Sequence, residues 1–393
     1  MNSAIAPTTS HDVAAQEAAT TLPVYDQLPF VAVRGSGCFI HTLDDRNILD
    51  LYGGHAVAGL GYNHADLTQA VQQQWEDLAF QSNAVVQPTR AEAAARLVGV
   101  APNGLTRTFF ANSGSEANEN ALRLACAITG RSKVIAIEHG FHGRTAAAAA
   151  VTWKSDRWYG FPQAPFNVEF IPRNDVSAID RLIDDSTAAV IFEPIQGIAG
   201  AFDLSSEFVA GLRAATTAAG ALLIADEVQC GMGRSGRYFA CSGLGVSPDL
   251  LTVAKALGGG FPCAALLTTD AVSESVYVGQ LGSTFGGGPV AAAAIVAVIN
   301  AIEKEGLLSN VRAREQQVRE QACVGPVQAV QGTGLLLGLR TSIPAAHVRD
   351  RLLEQNILVG TSADPNVVRL LPPLTLESEH VNQLVSALAE ISN

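Results

Sequence analysis

An acid and an amine sit at the ends of two short apolar runs in the segment Ala221–Pro262. Leu222–Ala225 delivers Asp226, and Leu250–Ala254 delivers Lys255. Both runs are too brief, and too closely bracketed by Gly and Pro, to make good helices. They read as buried strands. Side chains at the ends of neighbouring buried strands face one crevice, where open α/β sheets place their chemistry. Gly258-Gly259-Gly260 follows the lysine, bringing backbone close and leaving little room for water. Desolvation lowers a lysine pKa and frees the amine as a nucleophile toward a carbonyl. Most Asp and Lys residues at strand ends are simply solvated, so the pair alone does not establish a site. The same segment holds Gly231-Met-Gly-Arg-Ser-Gly236, which fits GxGxxG. A dinucleotide fingerprint needs a helix opening from those glycines and an acid about 20 positions on. Gly243, Gly245 and Pro248 break the following segment first, which argues against dinucleotide binding.

A cradle for an anion is written in Asn112-Ser-Gly-Ser-Glu-Ala-Asn118, at a strand-to-helix junction. Gly114 permits a tight turn, Ser115 adds a hydroxyl, and a helix N-terminus offers free N–H groups and a positive dipole end. Ser113-x-x-Glu116 also reads as an ordinary capping box. Gly282–Gly288 is a second loop that could bring Thr284 to the same anion, or could be a hinge. Phe141, in His139-Gly-Phe-His-Gly-Arg144, could stack on a flat ring or belong to the core. Together these are the parts needed to hold pyridoxal 5′-phosphate. The lysine would form a Schiff base, and the aspartate would keep the ring nitrogen protonated, so that the ring acts as an electron sink.

These residues need a frame. From Leu105 onward, strand, polar tip and helix alternate. The strand runs are Thr108–Ala111, Val134–Ile137, Ala188–Phe192, Leu222–Ala225, Leu250–Ala254 and Ala264–Thr268; helical spacing covers 117–129, 177–183 and 206–219. That alternation predicts an α/β fold with a mainly parallel, doubly wound sheet. The strand tips are polar: Asn112, Glu138-His139, Glu193, Asp226 and Lys255. Before this region, short strands at 31–33, 38–41 and 48–51 precede a glycine-rich stretch, 52–61, that is too apolar for a solvated loop. Helices are expected over 65–78 and 89–98. After it, a helix over 289–302 leads to strands at 327–330, 334–339, 358–359 and 367–370, a smaller α+β unit. The expected division is an N-terminal arm (1–22), an N-terminal segment of the small domain (23–60), a large cofactor-binding domain (61–288) and a C-terminal small domain (289–393).

Composition agrees with a well-buried enzyme-like chain. Of 393 residues, 48% are apolar and 16% charged, so burial can offset the entropy of ordering. A net charge of −12 without a basic cluster argues against nucleic acid. Six cysteines form no CxxC pair, giving no metal signature and suiting a reducing compartment. Residues 1–22 lack Lys and Arg, which argues against a secretory signal, and the longest apolar run, 290–299, is too short to span a bilayer. A cytoplasmic location is the expectation.

From about Tyr25 to Pro373 the sequence resembles the acetylornithine/ornithine branch of the ω-aminotransferases, class III pyridoxal-phosphate enzymes of fold type I. The resemblance rests on FFANSGSEANENAL, HGFHGRT, FEPIQG, LLIADEVQCGMGRSG, VAKALGGGFP, GSTFGGGP and VRLLPPL. It implies that Lys255 carries the cofactor and moves a proton between Cα and C4′. Asp226 would pair with the ring nitrogen, Gln229 with the phenolic oxygen, and Phe141 with the ring face. Gly114 and Ser115 would hold the phosphate, joined by Thr284 from the partner subunit of a homodimer. Arg144, with Ser283 nearby, would grip a substrate carboxylate, and Arg369 the α-carboxylate of glutamate or 2-oxoglutarate. Tyr25 and His55 also fall at substrate-contacting positions. Two residues depart from the family. Ile198 stands where a glutamate follows EPIQG, and His55 stands where acetylornithine enzymes have an apolar residue. The implied activity is transfer of the terminal amino group of N-acetylornithine, or a related ω-amino acid, to 2-oxoglutarate. The alternatives are another amino donor, or decarboxylation or racemisation on the same scaffold.

Overall fold

Strands rich in Val, Ile, Leu and Ala on both faces can be stable only between two layers of helix, and the central sheet is built that way. The computed structural model describes residues 9–392. Across the seven-stranded sheet the order is Leu105–Ala111, Ala264–Thr269, Leu250–Val253, Leu222–Asp226, Thr187–Phe192, Lys133–Ile137 and Asn167–Ile171. Only Ala264–Thr269 runs antiparallel to its neighbours. Thr187–Phe192 and Leu250–Val253 are buried along their whole length. The sheet is therefore mainly parallel and doubly wound, as the alternating pattern predicts.

The helices begin and end where their caps dictate. Ser113 caps Gly114–Thr129 with a complete capping box to Glu116, and Gly130, at φ 67°, closes it in the left-handed region. Ser205 caps Ser206–Ala219 by accepting from the Phe208 amide, and Gly220, also left-handed, closes it. Pro289–Lys304 opens with proline in its first turn and is buried almost all round, as its run of alanines allows. It packs against Ala65–Leu78 and Pro88–Val100, where Lys304 meets Asp66 at 2.7 Å and Arg96 meets Glu303 at 2.6 Å.

Several local expectations are corrected. The helix expected over 177–183 is a 3-10 turn, Val176–Ala178, followed by one short turn, Ile179–Leu182. Asn167–Ile171 is an edge strand that the apolar runs did not reveal, because exposed and half-buried residues alternate along it. Ser10–Thr20, within the expected arm, is a helix with no buried residue; residues 1–8 of that arm lie outside the described residues. Gly53–Ala56, in the glycine-rich stretch, makes one left-handed turn, with φ from 55° to 68°.

The two ends of the chain meet. Asn47–Asp50 pairs antiparallel with Phe39–Thr42 and parallel with Ile357–Leu358. Val327–Thr333, Leu336–Thr341 and Val367–Leu370 form a separate antiparallel sheet. One cluster of buried side chains, including Leu49, Leu251, Val368 and Leu384, runs continuously through these parts.

The glycine-rich stretch is anchored at Gly61. Its backbone lies against Gly37, with which Tyr62 exchanges two backbone hydrogen bonds. At φ 76°, a Cβ on residue 61 would sit 2.5 Å from the Gly37 carbonyl oxygen. Gly61→Ala is expected to lower unfolding stability by about 2 kcal/mol, through left-handed strain plus the backbone clash. Denaturant titration of the purified protein checks this.

Candidate active site

Parallel pairing of Leu222–Asp226 with Leu250–Val253, in the register Asp226 opposite Thr252, sets Asp226 and Lys255 at one end of adjacent strands. Beyond Val253 the chain bends sharply. Lys255 adopts φ 49°, a left-handed conformation that costs a non-glycine residue about 1 kcal/mol or more. Gly259 then continues at φ 58°, against Leu67. Both Asp226 and Lys255 line a cavity of about 340 Å³.

Asp226 forms the floor and is 3% exposed. Its Oδ2 accepts from Asn118 Nδ2 at 2.7 Å and meets His142 Nδ1 at 2.7 Å; its Oδ1 accepts from the Val228 amide at 3.0 Å. Asn118 is fixed in turn, donating to the His142 carbonyl and accepting from Thr252 Oγ1 at 2.6 Å. These three contacts replace the water that burial takes from the carboxyl group. Burial also holds Lys255 below the ordinary lysine pKa, opposed by the negative charges of Asp226 and Glu193. Glu193 is the second buried carboxyl group of this wall. Burial raises it from 4.5 to about 7, while nearby His142 acts the other way. Its Oε1 accepts from the Phe141 amide at 2.8 Å.

At the opposite end of the cavity is the start of the helix Gly114–Thr129. The capping box engages the Glu116 amide, whereas the Gly114 and Ser115 amides, in the first turn, have no carbonyl within the helix to accept them. The capping box and the anion cradle therefore coexist. Gly114 is required by closeness: a Cβ there would stand 2.7 Å from Val228 Cγ1. Phe141 lines the wall, and Gln229 reaches in with a buried Oε1 that has no partner among the described residues.

The remaining expected residues lie apart from this lining. Arg144 is exposed, its guanidinium 5.4 Å from the centre of the Trp158 ring. Only its backbone amide touches the cradle, donating to Ser115 Oγ at 3.3 Å. Ser283 Oγ accepts from Asn112 Nδ2 at 3.2 Å, while Thr284 beside it is exposed. Tyr25 is 78% exposed. Arg369 is buried, and His55 is bonded to Tyr52. Sequence reasoning missed Asn118 and His142 as supports of Asp226. An Asn among buried Ala117, Ala121 and Leu122 on one helix face was the available signal for the first; His142 had only its place between two glycines.

A family profile described as aminotransferase class-III matches residues 21–391. The chain belongs to the class-III aminotransferases. It is 37% identical to the LysW-aminoadipate semialdehyde transaminase of Deinococcus radiodurans, over 94% of this chain and 87% of that protein. It is 35% identical to the acetylornithine aminotransferase of Methanocaldococcus jannaschii, over 94% and 95% of the two chains. Its fold matches the ornithine aminotransferase of Toxoplasma gondii with a TM-score of 0.91 at 26% identity, covering 98% and 94% of the chains.

Class-III aminotransferases depend on pyridoxal 5′-phosphate, and the cavity fits it. The unpaired Gln229 Oε1 can meet a phenolic hydroxyl group, the free amides of Gly114 and Ser115 a phosphate, and the Asp226 carboxylate a protonated ring nitrogen. Among the described residues, no cluster of His, Cys, Asp and Glu is placed to hold a metal.

The raised Glu193 carboxyl group gives a pH prediction. Between 4.5 and about 7 the folded chain holds a proton that the unfolded chain releases. Stability from this group is thus fully present below 4.5 and lost as pH rises to about 7. Glu193→Gln is expected to flatten that part of the stability profile. Urea midpoints measured across the window check it.

Proposed function

We propose that this aminotransferase moves the terminal amino group of N-acetylornithine, or a related ω-amino acid, to 2-oxoglutarate, in two half-reactions at one site. The observation that carries this reading is the single cavity lined by Lys255, hydrogen-bonded Asp226, an anion-binding helix start and an unpaired Gln229. Bound pyridoxal phosphate supplies a carbonyl carbon that accepts the amino group and a ring that takes up electrons from it. Lys255 Nζ, its basicity lowered by burial, would hold the cofactor through its amine and, when released by the donor, would take the proton from the donor carbon and return it. Asp226 would hold a proton on the ring nitrogen, while His142 and Asn118 keep the carboxylate aimed. Phe141 would cover the ring face and exclude water. Arg144 and Arg369, both outside the lining, are cationic positions for substrate carboxylates, with Tyr25, His55 and Ser283 completing the substrate side.

The relatives named as acetylornithine and LysW-aminoadipate semialdehyde transaminases support a donor whose reacting amine is terminal. We assign the enzyme to a two-fold dimer with shared sites. Thr284 and Phe285 are exposed on the loop Gly282–Gly288, and Phe285 packs on Phe80, itself 43% exposed. In that dimer Thr284 serves the partner's phosphate cradle. We place the dimer in the cytoplasm, a reading supported by six free cysteines; no described helix is long and apolar enough to cross a membrane.

The test is a single turnover. Holoenzyme mixed with one amino donor, without acceptor, is expected to release one equivalent of the matching semialdehyde per subunit. Loss of carbon dioxide or inversion of the donor, with no carbonyl product, would identify a decarboxylase or racemase instead. Lys255→Ala is expected to keep the fold and to slow this release by several orders of magnitude. Sedimentation at assay concentration checks the assembly, and a fully active monomer contradicts the shared site.

A further inference from the structure

Arg369 is 4% exposed and hydrogen-bonds no carboxylate among the described residues, although the charge of Glu193 acts on it. Its Nε donates to the Thr361 carbonyl at 2.7 Å, its Nη1 to the Gly197 carbonyl at 3.4 Å, and its Nη2 to the Tyr52 hydroxyl at 2.6 Å. Three of its five N–H groups are used, one of them at long range. Two of these acceptors belong to the backbone and cannot leave. The third is a side chain. Ile198, beside Gly197, offers no charge, and its carbonyl is occupied by the Ala363 amide.

Tyr52 is held in place from three sides. Its amide donates to Asp50 Oδ1 at 2.8 Å. Its ring lies over Gly360, where any Cβ would collide with it. Its hydroxyl meets His55 Nδ1 at 2.8 Å, with the two rings 4.7 Å apart. The left-handed turn Gly53–Ala56 makes this possible by folding His55 back over Tyr52. The Tyr52 oxygen accepts from Arg369, which leaves its own proton available to His55 Nδ1 in the neutral tautomer protonated at Nε2.

We propose that the Tyr52 hydroxyl is a displaceable neutral partner of Arg369, which a substrate carboxylate replaces, and that His55 takes up a proton when it does. A carboxylate offers the guanidinium two charged acceptors where the phenol offers one neutral acceptor, so exchange at Nη2 is favourable. The groups facing His55 are the Tyr52 hydroxyl, the cations Arg369 and Lys255, and the Gln229 amide on its carbonyl. Burial and the two cations hold the imidazole pKa below 6.5. A carboxylate on Arg369 cancels one of those cations and relaxes the restraint. Binding is therefore linked to proton uptake, and it tightens as pH falls. Tyr52 and His55 thus decide how readily the site accepts a carboxylate.

This proposal rests on the reading of Arg369 as a carboxylate site, and the test separates the two. Glutarate, a dicarboxylate with no group that can react, is titrated calorimetrically into the holoenzyme. Arg369→Lys is expected to lose most of the binding; undiminished binding, or none in the wild type, overturns Arg369 as the acceptor without touching amino transfer. Tyr52→Phe keeps the ring on Gly360 and removes only the competing hydroxyl, so glutarate is expected to bind about tenfold tighter. Unchanged or weaker binding overturns the displacement. His55→Asn suits a left-handed backbone and carries no charge. Heats compared in buffers of different ionisation enthalpy at about pH 6 should show proton uptake in the wild type and none in this variant. Equal uptake in both removes His55 from the proposal.

Discussion

A carboxylate taken out of water costs several kcal/mol unless donors replace the solvent it loses. Asp226 meets that condition with groups from three separate parts of the chain. His142 comes from the loop after Lys133–Ile137, Asn118 from the helix Gly114–Thr129, and the Val228 amide from the segment after its own strand. Asn118 extends the network to Thr252 on the next strand. The same helix that satisfies the carboxylate also points its free N-terminus at the far end of the cavity. One buried charge therefore sets the distance between the acidic floor and the anion cradle. Removing any donor would loosen both.

Rigidity elsewhere permits strain here. His55, Ala56, Met232 and Lys255 all occupy the left-handed region, where a side chain is disfavoured. Gly114 and Gly197 bring backbone against Val228 and Gln229, closer than any side chain would allow. These features surround the cavity, while the buried strands and capped helices behind them are regular. The left-handed Lys255 follows the fully buried Leu250–Val253 after one residue, Ala254. The strand fixes where the lysine begins, and the strained bend fixes where its amine ends.

The parts of this arrangement that are local in sequence could be read from it. Apolar runs located six strands of the sheet, and their polar tips marked its functional edge; Ser206–Ala219 and Ala65–Leu78 matched their expected bounds. Contacts between distant segments could not be read. Nothing near His142 indicates that it will face Asp226, 84 positions away. Arg369 and Tyr52 are 317 positions apart, and only the pairing of chain-terminal segments brings them together. Asn167–Ile171 stayed hidden because an edge strand is half solvated, so it lacks the apolar run that betrays a buried one.

The cofactor side and the substrate side of the cavity are built on different physical terms. On the proposed cofactor side, the buried Asp226 carboxylate is fixed by three hydrogen bonds and has little freedom to change partner. On the substrate side, a buried guanidinium is satisfied by two carbonyls and a phenol, all neutral. A carboxylate in the place of Ile198 would form an ion pair, and breaking a buried pair is costly because it strands a charge. The phenol leaves no charge behind when it moves. It also bonds to an imidazole close enough to Lys255 to feel its charge. In the proposed exchange a second charge therefore appears, on that imidazole, only once a carboxylate is bound.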